Sequence, residues 1–165
     1  MRFQYDDGGR AAAGFKGKAG DCVTRAIAIA TGLPYRAVYD ALNEHALRER
    51  PSQRTRGRRS DARNGVFRKT YDRYLRSLGW TFHPTMSIGS GCQVHLRAKE
   101  LPAGRLIVRL SKHVAAVIDC VIHDTHNPSR RGTRCVYGYY FEAGSGISTT
   151  NLRHVPLCTR RRQSG

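Results

Sequence analysis

Apolar residues fall at helical spacing in the first half of this chain and at alternate positions in much of the second half. The run Cys22-Val23-Thr24-Arg25-Ala26-Ile27-Ala28-Ile29-Ala30 is rich in helix formers. Asp21 before it has the chemistry of an N-cap and Gly32 after it that of a stop, so a helix is predicted near Asp21–Thr31. Pro34 suits the first turn of a second helix reaching about Leu47, with Tyr35, Val38, Leu42 and Ala46 on one face. Val66, Tyr71, Tyr74, Leu75 and Leu78 repeat the spacing in a third helix, which Gly79 ends. From there the period shortens. Trp80-Thr81-Phe82 begins an extended segment, Leu106, Val108 and Leu110 alternate as a strand, and Cys135–Phe141 is an aromatic-rich strand. Helices first and strands later predict an α+β domain, with N-terminal helices packed on a C-terminal antiparallel β-sheet.

Two short β-rich runs flank Asp119-Cys120, the pattern of a hairpin with a tight turn. With a loop of two residues, Ile118 faces Val121, Val117 faces Ile122, Ala115 faces Asp124 and His113 faces His126. Opposed residues share a sheet face. His113, Ala115, Val117, Ile122, Asp124 and His126 then lie on one side and His123 on the other, with Asp124 diagonal to His113 and able to orient its ring. A loop of odd length would exchange the faces and favour His123.

Placed in the first turn of a helix, the Cys22 sulfur meets unpaired backbone N–H groups and the positive end of the macrodipole, both of which favour a thiolate. The alternative reading is a cysteine that packs in the core. Cys92 and His95 form a second cysteine–histidine pair, but on a Gly-flanked loop that lacks this activation.

These residues carry a resemblance. Asp21-Cys22 opening an apolar helix, Leu101-Pro102-x-Gly104 leading into a strand, His113 at the head of the next strand and Asp124 on its hairpin partner resemble the papain-like cysteine peptidase superfamily. The likeness is to compact bacterial and phage members and to the domains that process bacteriocin leaders, and it covers roughly residues 15–140. It implies a papain-like fold, a protein or peptide substrate, no cofactor and no metal, with Cys22 as nucleophile, His113 as general base and acid, and Asp124 as the orienting group. Asn127 is the reserve for that third role. In that superfamily a Gln or similar donor a few residues before the nucleophile completes the oxyanion hole. No Gln or Asn stands between Tyr5 and Cys22, which leaves Lys16 and Gln4 as the substitutes. Cell-wall amidases of the cysteine–histidine type are a more distant likeness, since they carry Ser-Gly after the cysteine where Val23-Thr24 stands here.

Composition adds a second theme. The 165 residues, 39% of them hydrophobic, suit one domain, and the formal net charge of +17 would draw the protein to polyanions. Arg54, Arg56, Arg58 and Arg59 crowd a Pro/Gly/Ser-containing stretch, about 48–63, that reads as an exposed, mobile loop, and Arg160-Arg161-Arg162 lie in a basic tail of about 158–165. Guanidinium groups suit bidentate recognition of phosphate or carboxylate, so nonspecific contact with nucleic acid or an acidic protein is the alternative function. No zinc-finger, helix-turn-helix or RNP-like pattern turns that charge into a specific reader. Residues 1–18 read as a loosely held Gly/Ala-rich arm, and the Met86 to Gly91 loop as a border of the active site. The five cysteines are odd in number and irregularly spaced, so no disulfide framework or zinc site is expected. With no signal-peptide pattern and no apolar run of membrane-spanning length, the expected place is the cytoplasm of a bacterial or phage-infected cell, away from membranes.

Overall fold

The computed structural model describes residues 1–145, so the Arg160-Arg161-Arg162 tail and Cys158 lie outside the described residues. Its helices are α1 (Cys22–Thr31), α2 (Tyr35–Leu47) and α3 (Arg68–Ser77), and its strands are β1 (Arg2–Tyr5), β2 (Trp80–Pro84), β3 (Arg105–Leu110), β4 (His113–Ile118), β5 (Val121–Asp124) and β6 (Gly138–Glu142). The class is α+β.

The sheet runs in the order β1-β5-β4-β3-β6-β2. Its central ladders are antiparallel, as expected, but β1 joins the edge parallel to β5, with Tyr5 opposite Asp124. The sheet is therefore mixed, and the first residues are not a loose arm. Beyond β1, the Asp6 N–H donates to the Asp124 carbonyl at 2.9 Å, and the Asp6 carboxylate meets His123 Nδ1 at 3.2 Å. These bonds carry the chain from the sheet end to the start of α1.

Each sheet face has its own core. Val114, Ala116, Ile107 and Tyr140 pack against Ile27, Ala30, Val38, Leu42 and Leu75 on the helical side. Leu106, Val108, Leu110, Ala115, Val117 and Ile122 meet Leu96, Leu101 and Val136 on the other. Ile27, Leu42 and Leu75 are fully buried, and each such side chain contributes about 1.5–3 kcal/mol through area removed from water. α1 ends as its sequence requires. Gly32 takes φ 74°, which costs glycine little, and its N–H returns to the Ala28 carbonyl at 2.9 Å.

The second core is fastened by a disulfide between Cys92 and Cys135, contrary to the cysteine reading. Spacing rules find compact metal or redox motifs, whereas this pair is 43 residues apart and is joined only through the fold. The bond removes Cys92 as a nucleophile. No helix among the described residues is long and apolar enough to cross a membrane.

The arginine-rich segment has more order than its composition suggests. A 3₁₀ turn over Gln53–Thr55 is capped by Ser52, and further on the Ser60 and Ala62 N–H groups donate to Glu49 and Asn43 at 2.7 and 2.9 Å. Arg54 lies in the turn, and Arg56, Arg58 and Arg59 are exposed.

Candidate active site

The hairpin is the one the sequence describes. Asp119 and Cys120 both have positive φ, 43° and 70°, as the favoured two-residue hairpin turn requires, and Ile118–Val121 and Val117–Ile122 pair across it. A second tight connection, Ser111-Lys112, sets His113 opposite Leu110. The register brings His113 and Asp124 to the same end of the sheet, where β4 begins and β5 ends. α1 begins level with that end, and its first residue is Cys22.

The three side chains meet there. His113 Nε2 lies 2.6 Å from Asp124 Oδ2, which leaves Nδ1 for the sulfur. The other Asp124 oxygen accepts the Thr125 N–H at 2.7 Å and a long contact from Arg25 Nη2 at 3.4 Å. Burial pushes the Cys22 thiol up, but hydrogen bonds from His113 and the Val114 N–H, with the charges of His113 and Arg25, bring it below its ordinary value. Burial by itself lowers His113, yet Asp124 and Cys22 outweigh it and raise the imidazole to about 9. Burial raises Asp124, and its bonds to His113 and Thr125 and the charge of Arg25 pull it down on balance. All three shifts favour the charged form of the group: the thiolate, the imidazolium and the carboxylate.

Asp21 does something other than cap. Its side chain accepts no bond from the first turn of α1. It is buried instead, accepting hydrogen bonds from Arg25 Nη1 at 2.7 Å and the Tyr35 hydroxyl at 2.6 Å and forming an ion pair with Arg10, whose Nε lies 2.9 Å away. Arg25 thereby spans Asp21 and Asp124 and ties the helix to the strand that carries the third residue. The first turn of α1 has no side-chain cap, and its residues Cys22 and Val23 line the cleft. Gly20 lets them come close to the neighbouring turn, because a Cβ there would lie 2.9 Å from the Asn64 carbonyl oxygen.

The open cleft around Cys22 has a volume of about 680 Å³, and its walls come from residues 19–20, 22–23 and 25, 64–68 and 71, 109–110, 112–114 and 125–126. The loop at 86–91 has no part in them. Gln4 sits on the edge strand opposite His123, and Lys16 is exposed away from the cleft. Neither reaches the sulfur. Asn127 is also elsewhere, its side-chain oxygen accepting the Ser129 N–H at 3.0 Å. Polar groups that line the cleft with Cys22, and that sequence reasoning missed, are Asn64, Tyr71 and Arg25. Arg25 had a visible signal, the i, i+4 pairing with Asp21. Asn64 and Tyr71 had none, because only the tertiary fold brings them to α1.

His126 stands beside His113, ring centroids 5.0 Å apart, while His123 points to the opposite face as the register requires. The groups that could gather a metal ion are His113, Asp124 and His126, with donor atoms within 4.8 Å of one another. Their direct carboxylate–imidazole bond is also the arrangement that orients a base. His95, the other sequence candidate, is bound to Glu100 at 3.1 Å.

Comparison of the chain with protein-family models, with curated proteins and with solved structures finds no match.

Proposed function

We propose that the protein is a papain-like thiol hydrolase that breaks a peptide, isopeptide or other amide bond through a thioester. The observation that carries this reading is the continuous chain Cys22–His113–Asp124 at the N-terminus of α1, with the thiol drawn below its ordinary value. The Cys22 thiolate attacks the carbonyl carbon, and the N–H groups at the start of α1 hold the oxyanion. His113 gives its proton to the leaving amine as the C–N bond breaks, then takes one from the water that releases the acid and restores the thiolate. Asp124 keeps the ring in place and Arg25 keeps Asp124 in place, a positioning role.

The test is the rate at which iodoacetamide labels Cys22 at pH 6, read by peptide mass spectrometry. Labelling roughly ten to a hundred times faster than an ordinary thiol, and lost in His113→Ala, is the expected result. Labelling at the ordinary rate, unchanged by the substitution, would defeat the proposal. Exposed Arg56, Arg58 and Arg59 and the net charge of +17 favour a second reading, a polyanion-binding protein on an inactive scaffold. That binding would weaken steeply with salt, whereas Cys22 labelling would not depend on those arginines.

A further inference from the structure

The cleft is charged on one side only. Arg25, Arg68, Arg109 and Lys112 line it, and among the described residues no Asp or Glu does. Arg25 is already committed to Asp21 and Asp124. Arg68 and Arg109 are not: neither is in an ion pair among the described residues. Both guanidinium groups lie against the Phe82 ring, at 4.9 and 5.6 Å from its centroid.

This gathering is built in by the backbone. Phe82 lies over Gly138, where a Cβ would come 2.3 Å from the ring, and Arg109 pairs with Gly138 on the other side. Any other residue at position 138 would displace the ring that the two cations share. Arg68 also stands where a cation is least favourable, in the first turn of α3. That helix has no acidic residue in its first turn and no side-chain cap, so its unpaired N–H groups add to the positive field. Tyr71, one turn further on and only 4% exposed, lines the same cleft with a hydroxyl that makes no hydrogen bond to the described residues. Tyr71 and Cys22 line this cleft together with Arg68 and Arg109. Two cations, a helix start and an unpartnered hydroxyl converge there, and an anion would satisfy them all.

We infer that the cleft takes an acidic peptide, with Arg68, Arg109 and Tyr71 holding a substrate carboxylate next to the bond that Cys22 attacks. This rests on the thiol-hydrolase reading and deepens it. A carboxylate fits because it accepts a guanidinium fork and a phenol hydrogen bond in one plane.

Two alkylating agents of nearly the same size test it. Iodoacetate carries a carboxylate and iodoacetamide does not, and with each the sulfur forms the S–C bond as iodide leaves. The ratio of their rates at Cys22, relative to glutathione, is expected to favour iodoacetate by about tenfold. It should fall to near the glutathione value in Arg68→Gln/Arg109→Gln and partway in Arg68→Gln alone, whose side chain is exposed and whose loss spares the fold. Arg48→Gln/Arg76→Gln removes the same charge outside the cleft and should leave the ratio unchanged. Equal loss in both double variants, or no loss in the first, overturns the inference, as does protection of Cys22 by an oligonucleotide but not by a Glu-rich peptide. Slow iodoacetamide labelling of the native protein would defeat the hydrolase reading alone, since the ratio is still read at the lower rate.

Discussion

At the scale of single residues, the site depends on groups that cannot be moved one at a time. The His113 value of about 9 exceeds its unfolded value of about 6.5, so its contribution to stability is complete below about 6.5 and is lost as pH rises through about 9. Asp124 is lowered, so its contribution is present above the ordinary carboxylate value and is lost as pH falls through its folded value. The lowered Cys22 thiol works in the opposite sense, its contribution growing as pH rises, so the imidazole is read without it: in Cys22→Ser the urea midpoint should decline as pH rises from 7 to 9, and decline less in Cys22→Ser/His113→Ala. Asp21→Ala should cost more than the site itself. It leaves the guanidinium groups of Arg10 and Arg25, 15% and 12% exposed, without their shared carboxylate, at about 3–5 kcal/mol in urea unfolding. The sequence marked Asp21 as a cap because caps are local and residue type suffices to suggest them. Of its actual partners, Arg25 is at i, i+4 spacing, but Arg10 and Tyr35 come from other segments, and no spacing rule reaches them.

At the scale of elements, what could be read was whatever a short stretch decides for itself. The register of β4 and β5 followed from a two-residue loop, and with it the shared end of His113 and Asp124, because a period of two propagates without error over six residues. β1 was illegible for the opposite reason. Its four residues are all exposed at the sheet edge, so no alternation marks them, and its parallel partner lies far away in sequence. The seating of α1 was also out of reach, because it depends on the approach of Gly20 to Asn64. Gly20→Ala should push that turn and the start of the helix apart. Iodoacetamide labelling of Cys22 should fall roughly tenfold, as expected of a small displacement at a reacting atom, while circular dichroism still reports the helices.

At the scale of the whole molecule, the pieces are held by links between distant parts of the chain. The disulfide between Cys92 and Cys135 ties the second core to the segment that leads into β6. Its removal in Cys92→Ser/Cys135→Ser should lower stability by about 2–4 kcal/mol, measured as a fall in melting temperature between two proteins that both also carry Cys22→Ser. The edge pairing of β1 with β5 is the longest of these links and bears on how the protein is made. Cys22 leaves the ribosome about ninety to a hundred residues ahead of His113, Val114 and Asp124, its partners in the folded site. Until the last hairpin closes against β1, the nascent chain carries only an ordinary thiol. The closing of β4 and β5 against β1 is therefore the step at which the nucleophile proposed above would gain its partners, long after the helix that carries it has been made.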